Sequence, residues 1–175
     1  MNKPPAFATV DPVKGMNNNS PARCQNLVSG EWKNDESEYS KIPDPLTGED
    51  FLLVPNTSDT AEFIKNLSNC PKSGLHNPIK NVERYVMLGD VCAKSAELMR
   101  DPEIELFFAK LIQRVMPKSI NQCIGEVRVT RVFLENFAGD GVRFLARGFS
   151  NPGDHDGQES NGYQWPFGSV VLIAP

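Results

Sequence analysis

The sequence predicts an α/β chain: a short β meander, then a layer of helices, then a single strand of a parallel sheet. Three observations predict this. Residues 24–55 hold short extended stretches parted by turn residues. Residues 56–149 carry apolar side chains at helical spacing. Residues 170–174, Val-Val-Leu-Ile-Ala, form an unbroken apolar run, too short for a buried helix, that reads as a strand covered on both faces. Such strands belong to parallel sheets, and open parallel sheets bind ligands beyond the carboxyl ends of their strands. The expected divisions are an arm over 1–23, disordered or draped, the meander over 24–55, a helical segment over 56–149, and a loop, extended interface segment and strand over 150–175.

Composition narrows the function. A chain of 175 residues can bury roughly 70% of its unfolded surface as one domain. Its hydrophobic content of 39% and its 14 prolines, with a mean hydropathy of −0.37, suit a domain with loose ends or a piece of a larger one. A net charge of −4 argues against nucleic acid and anionic membrane as main partners. No apolar run approaches the length of a transmembrane helix. Cys24, Cys70, Cys92 and Cys123 are widely spaced, lack metal-ligand spacing and fit reduced thiols packed as small apolar residues.

The elements follow in order. Residues 1–23 are rich in Pro, Asn and Lys and lack periodicity. Residues 26–32 read as a short strand ending in a turn. Residues 40–44 and 50–54 read as extended pieces joined by Asp44-Pro45-Leu46-Thr47-Gly48-Glu49, a strong turn signal. Asp59 or Thr60 caps a helix that runs through Phe63, Ile64 and Leu67 to Asn69, and Pro71 ends it. Asn81 caps the next, whose buried stripe is Val82, Tyr85, Val86, Gly89, Cys92, Ala93, Ala96 and Met99. Asp101-Pro102-Glu103 starts a third: a capping Asp, Pro at the first position and a carboxylate in the first turn. Ile104, Phe107, Phe108, Leu111, Ile112 and Val115 continue it until Pro117. Ser119 caps a long last helix with Ile120, Cys123, Ile124, Val127, Leu134, Phe137 and Ala138 on its buried side. Gly139 and Gly141, each about 1 kcal/mol worse than Ala in a helix, predict a bend before a resumed turn through Val142, Phe144 and Leu145.

Residues 151–157 read as a loop, and Ser160-Asn161-Gly162 as turn chemistry. Tyr163, Trp165 and Phe167 then alternate, which places three aromatics on one face of an extended segment. His76 reads as a structural loop histidine. His155, between Asp154 and Asp156, reads as part of a solvated loop, because adjacent side chains diverge and rarely share an ion. No phosphate-binding glycine loop, Cys-x-x-Cys pair or nucleophile elbow occurs.

Several stretches carry a resemblance. Asn161-Gly162-Tyr163-x-Trp165-Pro166-Phe167-Gly168 leads into the apolar run and Ile173-Ala174-Pro175. This resembles the first nucleotide-binding strand of the aldehyde dehydrogenase superfamily, where an apolar strand runs into Ile-x-Pro, an aromatic residue and an Asn; the last two are absent here. Trp32 and Pro45 to Gly48 resemble that family's opening meander. Cys70-Pro71-Lys72-x-Gly74-Leu75-His76-Asn77-Pro78, Leu111-Ile112-Gln113-Arg114-Val115-x-Pro117-Lys118-Ser119, Phe133-Leu134-Glu135-Asn136-Phe137 and Val142-Arg143-Phe144-Leu145-Ala146-Arg147 are similar to the plant-type mitochondrial pyrroline-5-carboxylate dehydrogenase branch, and they fall in its order.

The resemblance implies the N-terminal part of an aldehyde-dehydrogenase-like fold: meander, helical layer and first strand of the NAD-binding sheet. It implies oxidation of glutamate γ-semialdehyde to glutamate with hydride passing to NAD, in the mitochondrial matrix, with any presequence already gone. The family's catalytic Cys, base Glu and oxyanion Asn match nothing here, so no catalytic and no metal residue is assigned, and the isolated chain is expected to be inactive. Two carry-overs remain. Ile173, Ala174 and Pro175 match the strand end that borders the adenosine side of NAD. Glu126 matches a helical Glu near the aldehyde tunnel; a plain surface salt bridge is an equal reading. The implied partners are the remainder of the dehydrogenase or a larger protein assembly, and a homo-oligomer in the full-length family. The alternative is a short structural or interaction subunit derived from that family.

Overall fold

The computed structural model describes residues 8–34, 38–69, 85–164, 167 and 169–174. It mixes helices with small sheets, as the α/β class requires. The chain divides into two compact units: Met1–Asn69 with Met99–Val129, and Cys70–Leu98 with Thr130–Pro175.

In the first unit, β1 (Ala22–Arg23) pairs parallel to β5 (Asp50–Pro55), and β4 (Tyr39–Pro43) pairs antiparallel on the other side of β5. Residues 26–32, expected as one strand and a turn, form a hairpin: β2 (Asn26–Val28) and β3 (Glu31–Lys33) are joined by Ser29-Gly30. Both turn residues have positive φ, 52° and 83°, the geometry whose twist matches the flanking strands and for which Gly is suited. The β4–β5 turn is built by Asp44. Its Oδ1 accepts from the Leu46 amide at 2.8 Å, its carbonyl accepts from Gly48 N at 2.8 Å, and its own amide donates to Glu49 O at 2.7 Å. Register slips between Ile42 and Pro43, which leaves Phe51 between paired positions; its side chain is only 1% exposed.

Helix α1 (Ala61–Asn69) starts where Asp59 Oδ1 accepts from Ala61 N at 2.9 Å. Helix α3 (Pro102–Val115) has the expected start: Asp101 accepts from Glu103 N at 2.8 Å. Helix α4 (Ile120–Asn136) opens on a capping box, with Gln122 N donating to Ser119 Oγ and Ser119 N donating to the Gln122 side chain. Ala109 of α3 and Cys123 and Val127 of α4 form the unit's helical core, with Met99, Phe108, Ile112, Ile120 and Ile124 packed around it.

In the second unit, α2 (Val86–Leu98) buries Gly89 and Ala96. The expected cap, Asn81, lies outside the described residues, as do Cys70 and His76. After α4 the chain bends at Gly139 (φ 55°) and resumes as α5 (Asp140–Arg143) and a single 3-10 turn, Phe144–Ala146. Gly89 faces Val142 so closely that a Cβ there would lie 2.6 Å from Val142 Cγ1. The loop read at 151–157 is the reversal of a hairpin, less Asn151 and Pro152, whereas the turn read at 160–162 is part of a strand. Strand β6 (Gly148–Pro152) pairs with β7 (Glu159–Tyr163), and Ser160 to Gly162 lie inside β7. The reversal falls at 153–158, where Gly157 has φ 75° and Gln158 N donates to His155 O at 3.0 Å. Backbone pairing outweighed the turn preference of Asn and Gly.

Candidate functional site

The described site residues expected from sequence lie in different units, Glu126 in the first and Ile173 and Ala174 in the second. Glu126 sits on α4, two turns beyond its cap. The loop before α4 is fixed by Gln113 Nε2, which donates to Lys118 O at 2.9 Å. That loop delivers the Lys118 ammonium to the Glu126 carboxylate as an ion pair. The Glu126 side chain is 46% exposed and that of Lys118 29%. The structure therefore shows the salt-bridge geometry for Glu126.

The apolar run has no strand partner among the described residues. Val170 to Ile173 are 69%, 85%, 91% and 89% exposed, and no strand is assigned over 170–174. The expectation of a strand covered on both faces is corrected on this point. A strand exists only when a neighbour closes its backbone hydrogen bonds, and none of the described segments pairs with this one. Pro175 lies outside the described residues. Ile173 and Ala174 offer main-chain groups and apolar side chains, with no phosphate cradle and no ribose carboxylate.

The described cysteines are wholly or partly buried. Cys123 is buried in the helical core, and Cys24 and Cys92 are half-buried, all three as free thiols. Burial pushes the Cys24 thiol above its ordinary value, which disfavours the nucleophilic thiolate. Among the described residues no group of three or more His, Cys, Asp or Glu converges as a metal site, and no helix is long and apolar enough to cross a membrane.

The sequence reading passed over a polar cluster in the first unit. Arg114, in the last turn of α3, reaches Asp44 Oδ2 at 2.9 Å, and the Asp44 side chain is 9% exposed. The same guanidinium donates to Met16 O at 2.6 Å and stands 5.0 Å from the Phe51 ring centroid. An open cavity of about 370 Å³ lies beside it. The Asp44 turn was visible in sequence; its buried carboxylate was not, because its counter-ion comes from a distant helix.

Comparison with known proteins gives the setting. No protein-family model matches the chain. The solved structures it resembles include an aldehyde dehydrogenase from Brucella melitensis biovar abortus 2308, with a TM-score of 0.56 and 23% identity over 78% of this chain and 27% of that one. A 3,6-anhydro-L-galactose dehydrogenase solved in complex with NAP gives 0.59 and 21%, with the same coverage. The fold is that of part of an aldehyde dehydrogenase. In sequence, the chain is 50% identical over 171 residues to a probable aldehyde dehydrogenase of Linum usitatissimum, covering 97% of this chain and 31% of that protein. It is equally similar to the mitochondrial delta-1-pyrroline-5-carboxylate dehydrogenase 12A1 of Arabidopsis thaliana, of which it covers 30%. The chain spans under a third of the length of these relatives.

Proposed function

We propose that the chain is the N-terminal portion of an NAD-dependent dehydrogenase that oxidises glutamate γ-semialdehyde in proline catabolism, in the mitochondrial matrix. The observation that carries this reading is the 50% identity held over 97% of the chain with a protein named for that reaction. In this reading α2, α3 and α4 flank the NAD-binding domain, 170–174 completes a strand of its sheet beside the adenosine half of NAD, and β6–β7 belongs to a subunit interface. Glu126 then lies near the aldehyde tunnel, paired with Lys118. The catalytic thiol, the base and the oxyanion donor come from the rest of the dehydrogenase. Nucleophilic oxidation of an aldehyde needs all three in one place, and the described residues bring none together.

The test compares the 175-residue chain with one extended by whatever reading frame follows Pro175. Both are incubated with γ-semialdehyde and NAD, and NADH absorbance is followed. The short chain is expected to give no NADH and the extended chain to turn over. Turnover by the short chain would refute the reading. An inactive extended chain that joins a larger complex would favour the short structural subunit instead.

A further inference from the structure

We propose that Arg114 is a clasp that holds residues 11–20 as a strap across the β4–β5 turn, so that the strap opens as a unit when the clasp is lost. The strap is shaped locally before it meets anything else. Asp11 Oδ1 accepts from Val13 N at 2.8 Å and from Lys14 N at 3.3 Å. Asn17 Oδ1 accepts from Asn19 N and Ser20 N at 3.0 and 3.1 Å, and Asn17 and Ser20 exchange backbone hydrogen bonds. Gly15 supplies a left-handed φ of 74° between the two turns. A preformed strap of this kind loses little further entropy on docking.

Its docking is concentrated at Met16. The Met16 side chain is buried, and its carbonyl is held by a guanidinium 98 residues away in sequence. Arg114 Nη2 reaches both that carbonyl and the buried Asp44 carboxylate, while the guanidinium lies over the Phe51 ring. Two segments distant in sequence therefore share one cation: the strap, and the turn with the strand β5 that follows it. A planar guanidinium can hold these acceptors and stack on an aromatic face at once, which suits it better than a compact ammonium. Charge-assisted hydrogen bonds are also the stronger class, and Arg114 supplies one to the Met16 carbonyl. Beneath and beside the strap lies the 370 Å³ cavity, lined by Met16, Asp44, Phe51 and Arg114 among others. Opening the strap would enlarge access to it and expose Phe51.

The test is hydrogen exchange of the 175-residue chain, with trypsin cleavage after the exposed Lys14 as a second readout. In Arg114→Ala the amides of Val13, Asn19 and Ser20 are expected to exchange about tenfold faster, and cleavage after Lys14 to quicken similarly. The amides of Ala109, Cys123 and Val127 are expected to keep their protection. Arg114→Lys, which keeps the charge and the aliphatic stem, is expected to show the same pattern at smaller amplitude, and it carries the test if the alanine variant does not fold. Unchanged exchange over 11–20 would overturn the clasp. Equal loosening of the strap and the helical core would also overturn it, since Arg114 would then support the whole unit.

Discussion

Asp44 shows how one side chain can be set by its neighbours. The Leu46 amide, and then the Arg114 guanidinium, hold its carboxyl below the ordinary value of 3.8, against the opposing pull of desolvation. A carboxyl whose folded pKa is lowered stabilises the fold fully above its unfolded value, and that contribution is lost as pH falls through the lowered folded value. The Asp44→Asn variant is therefore expected to be less stable than the parent near pH 6, with the gap narrowing below about pH 4. Urea midpoints at several pH values check this, and a gap independent of pH would show that the charge contributes nothing. This part of the site was only half visible in sequence. Asp44-Pro45 and Gly48 announce a turn by local chemistry. Nothing local announces a cation from α3, because Arg114 lies far along the chain from Asp44.

At the scale of elements, the helices were readable and the second hairpin was not. Helix α3 carries its own start in Asp101 and Pro102, its own period, and its own stop in Pro117, and it runs from Pro102 to Val115. Strands β6 and β7 read Gly-Phe-Ser-Asn-Pro and Glu-Ser-Asn-Gly-Tyr. They are almost wholly exposed, so no alternation of apolar and polar residues marks them; only backbone pairing does. The α2–α5 contact depends on a missing side chain instead. In a free helix Gly89→Ala would gain roughly 1 kcal/mol. Here the new methyl meets Val142 Cγ1 at 2.6 Å and Phe137 O at 3.2 Å, and Val142 is itself buried with a stiff β-branched side chain. Overpacking costs about 1–3 kcal/mol, so Gly89→Ala is expected to be destabilised by about 1 kcal/mol net in a urea melt. A more stable variant would show that α2 and α5 do not pack this closely in solution.

For the whole molecule, the exposed run over 170–174 is the dominant fact. A row of apolar residues with unpaired backbone recruits another strand or aggregates. The isolated chain is expected to elute from gel filtration as oligomers or aggregate at high concentration, and Val171→Lys to shift it toward monomer. A monomeric peak from the parent at high concentration would count against this. The same exposure explains why the sequence suggested a buried strand: 170–174 has the composition of one, and burial needs neighbours that the described segments do not supply. Under the proposed function these residues belong to a dinucleotide-binding protein without forming its dinucleotide site. Calorimetric titration of the 175-residue chain with NAD tests that most directly: no saturable heat is expected, and stoichiometric, saturable binding would contradict it.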